Sequence, residues 1–332
     1  MRFAFTDEQV GLRRSVRKVL ELHGGVGAAR RAMQSELGHD GALWSRLAGD
    51  LGLAGLVIPE RLGGAGLGWV EVAAVSEELG ATLAPVPFFS TVCLATSVLL
   101  ACNADDALAA IARGETGALV LGRASRHVVD GHTADLLVVA TDDGVFVVRG
   151  DARGVRRRRI ATVDPTRTLA EVHIDASAPL ERVGDRADLD LARVALAAEQ
   201  VGGAQRCLEL SVEYAVVRQQ FGRPIGSFQA IQHTCADMFV LVESARSAAY
   251  HAAWTADHDP AGLPAAAATA AAYCGDAFHR SAGDTIQVHG GIGFTWEHDA
   301  HLYWKRARAD RALLGTPSAQ RERIAEMILG SA

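Results

Sequence analysis

The chain has 332 residues, a formal charge of −6 and a pI near 6.1, with 49% hydrophobic and 22% charged residues. This composition excludes a disordered chain and a collagen-like fibre, and the length excludes a mini-protein held together by disulfides. The acidic balance argues against a general nucleic-acid binder, which needs a basic surface to neutralise phosphates. Because aromatic residues are only 6% and alanine supplies much of the apolar content, we expect a mostly helical protein.

The N-terminal part of the chain carries a helical pattern. Thr6, with Gln9 three residues later, forms a capping box that predicts the start of a first helix. Helical periodicity is also present over residues 42–51 and 70–79, on either side of a glycine-rich loop. We therefore expect an N-terminal helical domain over residues 1–115.

One uncharged stretch, Leu79 to Ala104, resembles a membrane span by its hydropathy. Pro85, Pro87 and several hydroxyl side chains divide it into a loop and a short buried helix, so no membrane span is predicted. The first residues lack the apolar core of a signal peptide, and the five cysteines form no CxxC pair or zinc-ligand spacing. We expect a cytoplasmic protein with buried free thiols.

The sequence then changes to β-branched runs. Two of them, 136–141 and 145–149, flank an Asp-Asp-Gly turn and predict a hairpin, and a further strand is predicted near 169–174. Together they indicate a small central β domain over residues 116–182. A basic run, Arg156 to Arg159, favours a solvated edge strand protected by charge, with a patch for a phosphate-bearing ligand or a partner as the alternative.

The remainder of the chain shows only long helical patterns. We expect a C-terminal helical bundle over residues 183–332, with short connections that make neighbouring helices antiparallel. The predicted helices cover about 189–218, 227–257, 264–288 and 299–311, and a last helix is capped by Thr316 with Pro317 at its first position.

Two segments of this bundle carry polar, glycine and arginine residues that an amphipathic helix does not need. The first is YAVVRQQFGRPIGSFQAIQHTCADM, from Tyr214 to Met238, and the second is QVHGGIGFTWEHDAHLYWKRA, from Gln287 to Ala307. An arginine at a helix end beside a tight turn, with glycines that admit close backbone approach, is typical of a phosphate or pyrophosphate site. The alternative is that Arg218 pairs with a carboxylate and the glycines only form turns.

Both segments resemble the two C-terminal signatures of the flavin-dependent acyl-CoA dehydrogenases, RxQFGxPIxxFQxxQHxxADM and QxHGGxGFTxE. The loop GLVIPERLGGAG is similar to a loop in the N-terminal domain of that family, and the helix–β–helix order agrees over the whole length. The resemblance implies this fold, FAD as the cofactor and an acyl-CoA substrate. It places Arg218 at the pyrophosphate and Phe221 beside the dinucleotide, with Gln287, Gly290 and Gly291 at the adenosine diphosphate. In this family the two motifs grip an FAD that is bound mainly by the neighbouring subunit.

The chain departs from the family at the base that removes the α-proton. Most members carry a glutamate just before the last helix, where this chain has Leu314, and a minority carry it where this chain has Ala192. Neither side chain can accept a proton. Glu199, about two turns further along the same helix, is a weak candidate, and this displacement favours a carboxylate in a bundle or subunit contact. The family's β-domain segment that covers the flavin ring also has no counterpart here.

This combination resembles the short, base-deficient subunits of actinobacterial heterotetrameric acyl-CoA dehydrogenases, several of which act on CoA thioesters of steroid side chains and ring fragments. We expect a subunit that completes the FAD site of a longer, glutamate-bearing homologue, which passes electrons to an electron-transfer acceptor. Two alternatives stay open: a self-sufficient homo-oligomeric acyl-CoA dehydrogenase with a non-standard base, and a flavin-free assembly subunit. No metal site is expected at Glu297, His298 and His301, because a fourth ligand is missing.

Overall fold

The computed structural model describes residues 5–330, which divide into two compact units. The N-terminal unit consists of Glu8–Val72 and Pro85–Ala192. The bundle unit holds Ala73–Ala84 and the C-terminal part from Arg193, together with the segment that ends at Asp7. The three-domain division given above stays a prediction.

Residues 5–115 are mainly helical, as the sequence predicts. The first helix begins at Asp7, directly after the predicted cap, and ends at His23. A wide helical segment, Phe89–Thr96, lies buried within the stretch that resembles a membrane span. Within residues 5–330, no helix combines the length and the apolar character that crossing a bilayer requires. The helices are α1 (Asp7–His23), α2 (Gly25–Gln34), α3 (Gly41–Ser45), α4 (Trp69–Ala81), α5 (Ser97–Ala101) and α6 (Asp105–Ala112).

Two small sheets complete the N-terminal unit. Their strands are β1 (Gly117–Leu121), β2 (Ala124–Val129), β3 (Leu136–Thr141), β4 (Gly144–Arg149), β5 (Val155–Ile160), β6 (Leu169–Ile174) and β7 (Glu181–Gly184). One sheet has the order β1-β3-β4-β7, in which only β1 and β3 are parallel, and the other is antiparallel with the order β2-β6-β5. The predicted hairpin is confirmed as β3 and β4. Apolar side chains of both sheets form one core, which includes Val120, Val139 and Val172.

The basic run lies on β5, which is an edge strand of its sheet. All four of its arginines donate to oxygens of the same unit: Arg156 to Asp175, Arg157 to the carbonyl oxygen of Ala134, Arg158 to Glu171, and Arg159 to the carbonyl oxygen of Ser35. Because local acceptors already occupy these guanidinium groups, the solvated-edge interpretation is favoured over a phosphate-binding patch.

The bundle unit is built from five long helices. They are α7 (Asp190–Val217), α8 (Gln229–His258), α9 (Leu263–His289), α10 (Ala300–Leu313) and α11 (Pro317–Leu329). Between α7 and α8 lie two short strands, β8 (Gln219–Gln220) and β9 (Arg223–Pro224). The predicted cap of the last helix is confirmed, since the side chain of Thr316 accepts a hydrogen bond from Ala319 N at 3.3 Å. The mostly helical fold with a small β region is thereby confirmed.

In the bundle unit, α4 and α7 cross, and each helix contributes one glutamate and one glycine to the contact. A Cβ atom at Gly80 would lie 2.0 Å from the carbonyl oxygen of Glu199, and one at Gly202 would lie 1.9 Å from the carbonyl oxygen of Glu77. Each helix therefore offers a glycine where the backbone of the other passes, three residues after a glutamate. Only residues without a side chain allow this approach of the two backbones.

The same two glutamates carry buried ion pairs. Glu77 pairs with Arg246 of α8 and accepts a hydrogen bond from Tyr250. Glu199 accepts a hydrogen bond from Arg306 Nη1 of α10 at 2.7 Å, and both of these side chains are buried. A buried charge needs such a partner, so these pairs bind α8 and α10 to the crossing.

Candidate functional site

The first predicted binding segment begins where α7 ends. Arg218 N donates to the carbonyl oxygen of Tyr214 at 2.9 Å, and Ile225 N donates to the carbonyl oxygen of Arg218 at 2.8 Å. Between them, β8 and β9 form a two-residue hairpin with Phe221 (φ 54°) and Gly222 (φ 76°) at its tip. Two consecutive positive φ angles are typical of a type I′ turn, and a phenylalanine there is strained. The turn leaves the Phe221 side chain 92% exposed.

The side chain of Arg218 is exposed, and within residues 5–330 it has no hydrogen bond or ion pair. Neighbouring arginines of the bundle differ, since Arg206 pairs with Glu209 and Arg246 pairs with Glu77. The pairing of Arg218 with a carboxylate, left open by the sequence, is therefore absent from the described part of the chain. Such a guanidinium can bind an anion without first giving up an internal partner.

The second segment surrounds the end of α9. Gln287 is exposed in the last turn of this helix, and Gly290 ends it with φ 63° and ψ −143°, a conformation that favours glycine. Cβ atoms added at Gly290 or Gly291 would meet no atom within 4 Å. The backbone of these two residues is therefore open to close approach by a ligand.

An aromatic contact brings the two segments together. The rings of Tyr214 and His289 stack with centroids 4.4 Å apart, one helical turn before Arg218 and directly before Gly290. On its other side, His289 lies 4.3 Å from the ring of His298. The motifs predict no contact between these residues, because no local pattern shows a contact between distant segments.

The residues present fit the adenine-dinucleotide end of FAD. A guanidinium without a partner in the described chain suits a pyrophosphate, and the open backbone of Gly290 and Gly291 admits close approach. The exposed ring of Phe221 offers an apolar face. The assignment of Arg218, Phe221, Gln287, Gly290 and Gly291 to the cofactor stays a prediction on these grounds.

Large apolar side chains are exposed on the same segments and on the neighbouring part of α8. A monomeric protein rarely leaves so many of them in water, and such residues are typical of a surface that another protein covers. They are Val212, Val216, Val217, Phe221, Phe239, Val240, Ile292, Phe294 and Trp296, with exposed fractions between 43% and 92%.

Leu314, at the usual position of the family base, lies just after α10. Its carbonyl oxygen accepts hydrogen bonds from Arg193 Nε and Gln320 Nε2, each at 3.2 Å. The cavity beside it, which Gln200 also lines, is only about 10 Å³, enough for roughly one water molecule. The side chain of Leu314 has no titratable group.

The other two candidate base positions are also unsuitable. Ala192, on the first turn of α7, is fully buried and has no titratable group. Glu199 is 7% exposed, and its carboxylate is engaged by the buried guanidinium of Arg306. A general base must reach its substrate, whereas the Glu199 carboxylate is buried against a guanidinium.

Neither metal chemistry nor thiol chemistry is indicated. The described residues contain no cluster of three or more His, Cys, Asp or Glu side chains that could hold a metal ion. His298 Nδ1 instead accepts a hydrogen bond from Ala300 N at 3.1 Å. Burial raises the pKa of the Cys207 thiol to about 12 and also raises the pKa of Cys274, so both thiols are unreactive.

Comparisons with known proteins identify the family. The family model described as acyl-CoA dehydrogenase, C-terminal domain, matches residues 185–329, and the acyl-CoA dehydrogenase, N-terminal domain, matches residues 6–109. The acyl-CoA dehydrogenase IpdE2 of Mycobacterium tuberculosis is 43% identical over 315 residues, which cover 94% of each chain.

Solved structures give the same result. The ChsE4–ChsE5 complex from Mycobacterium tuberculosis superimposes with a TM-score of 0.89 at 27% identity, covering 100% of both chains. A variant of the Tcur3481–Tcur3483 steroid ACAD superimposes with a TM-score of 0.85 at 29% identity, covering 97% of this chain and 98% of that one.

Proposed function

Because this chain belongs to the acyl-CoA dehydrogenase family, we propose that it is a subunit of an FAD-dependent acyl-CoA dehydrogenase assembled from two different chains. The reaction removes a proton from Cα and a hydride from Cβ of an acyl-CoA thioester. In this assembly the chain completes the FAD site of a longer partner, and that partner carries the glutamate base.

One observation carries the proposal. The chain keeps an exposed cofactor-binding surface, with Arg218 lacking a partner in residues 5–330, while both family base positions hold side chains that cannot take up a proton. A self-sufficient enzyme needs the base, and a pure scaffold has no use for a pyrophosphate grip. A subunit that contributes to a neighbour's FAD site needs the residues that bind the pyrophosphate but not the base.

The residues of this chain would bind and orient the cofactor. Arg218 would neutralise the pyrophosphate through charge-assisted hydrogen bonds, and Gly290 and Gly291 would admit the adenosine diphosphate close to their backbone. Gln287 would hydrogen-bond the same part, and Phe221 would pack beside it. When bound, FAD supplies the acceptor for the hydride that leaves Cβ. The α-proton must pass to a carboxylate outside this chain.

The relatives support the choice of partner and substrate. One of the similar solved structures is a complex of two named chains, and another is described as a steroid ACAD. We infer a longer acyl-CoA dehydrogenase homologue as the partner and a CoA thioester derived from a steroid as the substrate. The exposed apolar residues near Phe221 and Phe294 would lie in the subunit interface. An electron-transfer acceptor would reoxidise the flavin.

The test is flavin content. The chain should be purified alone, the glutamate-bearing homologue alone, and the two after co-expression, and the flavin absorbance per chain measured for each. We expect little FAD in the isolated chain and FAD in the complex. Stoichiometric FAD in the isolated chain would instead support a homo-oligomeric enzyme, and a flavin-free complex would support an assembly subunit.

A further inference from the structure

One ring contact joins the segment around Arg218 to the segment around Gly290. Arg218 follows Tyr214 by four residues, and its amide donates to the carbonyl oxygen of Tyr214. Gly290 and Gly291 follow His289 directly. The rings of Tyr214 and His289 stack with centroids 4.4 Å apart and an inclination of 26°. They therefore join the helical turn that ends at Arg218 to the residue that precedes the open glycines.

Within residues 5–330, few side chains of the glycine turn hold it, although the amide of Gly290 donates to the carbonyl oxygens of Ile286 and Gln287. Gly290 and Gly291 contribute no side chain, and Ile292 and Phe294 are exposed. The turn packs inward at Gly293, where an added Cβ would lie 2.9 Å from the Cβ of His289. The turn therefore rests on the last turn of α9, to which His289 belongs.

His289 itself is fixed from three directions. It is 5% exposed, and its Nδ1 donates to the carbonyl oxygen of Thr285 at 2.8 Å. The ring of Tyr214 covers one side, and the ring of His298 lies 4.3 Å away at 47°. His298 Nδ1 accepts from Ala300 N, which ties this ring to the start of α10. Three aromatic rings therefore link α7, the end of α9 and the start of α10.

We infer that Tyr214, His289 and His298 are positioning residues that hold Arg218 and the Gly290–Gly291 turn in one fixed arrangement, so that both halves of the dinucleotide grip act together. This inference rests on the proposed function for its link to FAD. The ring stack itself stands on the contacts within the bundle unit.

Two substitutions at position 214 test the roles of the ring and of its hydroxyl separately. The hydroxyl of Tyr214 has no hydrogen bond within residues 5–330, so Tyr214→Phe keeps the stack, whereas Tyr214→Leu removes the aromatic face. Tyr273→Leu is the matched control, because Tyr273 lies on α9, is 38% exposed and has no ring partner in the described chain. His298→Asn is a second way to remove a ring while keeping an acceptor for Ala300 N.

The first measurement is amide hydrogen exchange in the isolated chain, which does not depend on FAD. We expect Tyr214→Leu and His298→Asn to speed exchange over residues 287–298 by about three- to tenfold, the range that corresponds to losing one aromatic pair. Tyr214→Phe and Tyr273→Leu should leave this exchange unchanged. Unchanged exchange in a folded Tyr214→Leu or His298→Asn chain overturns the inference.

The second measurement is the FAD dissociation constant of the assembled enzyme. Tyr214→Leu should raise it by about three- to tenfold, and combining it with Arg218→Ala should raise it by less than the product of the two single effects, because both changes act on one grip. A fully multiplicative effect contradicts joint positioning. If Arg218→Ala alone leaves the constant unchanged, the cofactor assignment fails, while the exchange experiment still decides the role of the stack.

Discussion

Replacing Glu199 by Gln removes one charge of a buried ion pair and leaves the other in place. Arg306 is 3% exposed and its Nη1 lies 2.7 Å from the Glu199 carboxylate, so its buried charge would face a neutral amide in place of that carboxylate. Removing one partner of such a pair costs about 3–5 kcal/mol. Because the amide oxygen of Gln can still accept a hydrogen bond, we expect a loss near the lower end, about 3 kcal/mol.

This loss should be visible in thermal unfolding. For a cooperative unit of 150–250 residues, about 1 kcal/mol shifts the Tm by about 2–4 °C, so we expect Glu199→Gln to lower the Tm by about 6–12 °C. Glu209→Gln is the matched control on the same helix. Its carboxylate is 44% exposed and paired with Arg206 at 3.1 Å, and such pairs contribute about 0–1 kcal/mol.

The same variant tests the assignment of the base. In the assembled enzyme at a temperature where the variant is folded, flavin reduction by saturating acyl-CoA should stay within a few-fold of the unmodified rate in stopped-flow measurements. Loss of a general base ordinarily costs about 10²–10⁴ in rate. An unchanged Tm together with abolished flavin reduction, while FAD and ligand still bind, would refute this reasoning and make Glu199 the base.

Three further results are expected. Arg218→Ala should weaken FAD binding by the assembled enzyme by about 1.5–3 kcal/mol in equilibrium dialysis, with Arg280→Ala, an exposed arginine already paired with Asp284, as the unaffected control. Gly202→Ala should lower the free energy of unfolding in urea by about 1–3 kcal/mol or more, because its Cβ would strike the Glu77 carbonyl oxygen. Gly283→Ala, whose Cβ would meet no atom within 4 Å, should raise it by about 0.5–1 kcal/mol. Equal effects of the two substitutions would contradict the crossing. Burial lowers the pKa of His289, which Tyr214 and His298 flank, so this imidazole binds its proton at a higher pH in the unfolded chain than in the folded one. The free energy of unfolding should therefore be fully present above about pH 6.5 and fall as the pH drops below it. The fall should be smaller in His289→Gln, and urea midpoints at several pH values will measure it.

Long periodic elements of this fold could be predicted from the sequence. The helix α7 was expected over 189–218 and spans Asp190–Val217, because an apolar stripe repeated over many turns fixes both the type and the extent of a helix. The Asp-Asp-Gly turn likewise predicted the β3–β4 hairpin. The short helix α2 was missed, because two glycines stand in its first turn and ten residues show little periodicity.

The candidate site was predictable only as a set of positions. Motif spacing indicated Arg218, Gln287 and Gly290, but whether Arg218 has an internal partner depends on where distant carboxylates fold. The contact between Tyr214 and His289, and the pairing of Glu199 with Arg306, join residues on different helices. No local pattern specifies such pairs, so the sequence favours a bundle or subunit contact for Glu199 without identifying its partner.

The crossing of α4 and α7 separates the carboxylates that support the bundle from the positions that could do chemistry. Glu77 and Glu199 secure helices, whereas the hydrogen bonds at Leu314 use its backbone carbonyl oxygen, which any residue provides. A chain built in this way can exchange a proton-abstracting glutamate at that position for leucine without weakening its scaffold. On the proposed function, the fold is kept as a subunit that holds the cofactor, and proton transfer falls to its partner.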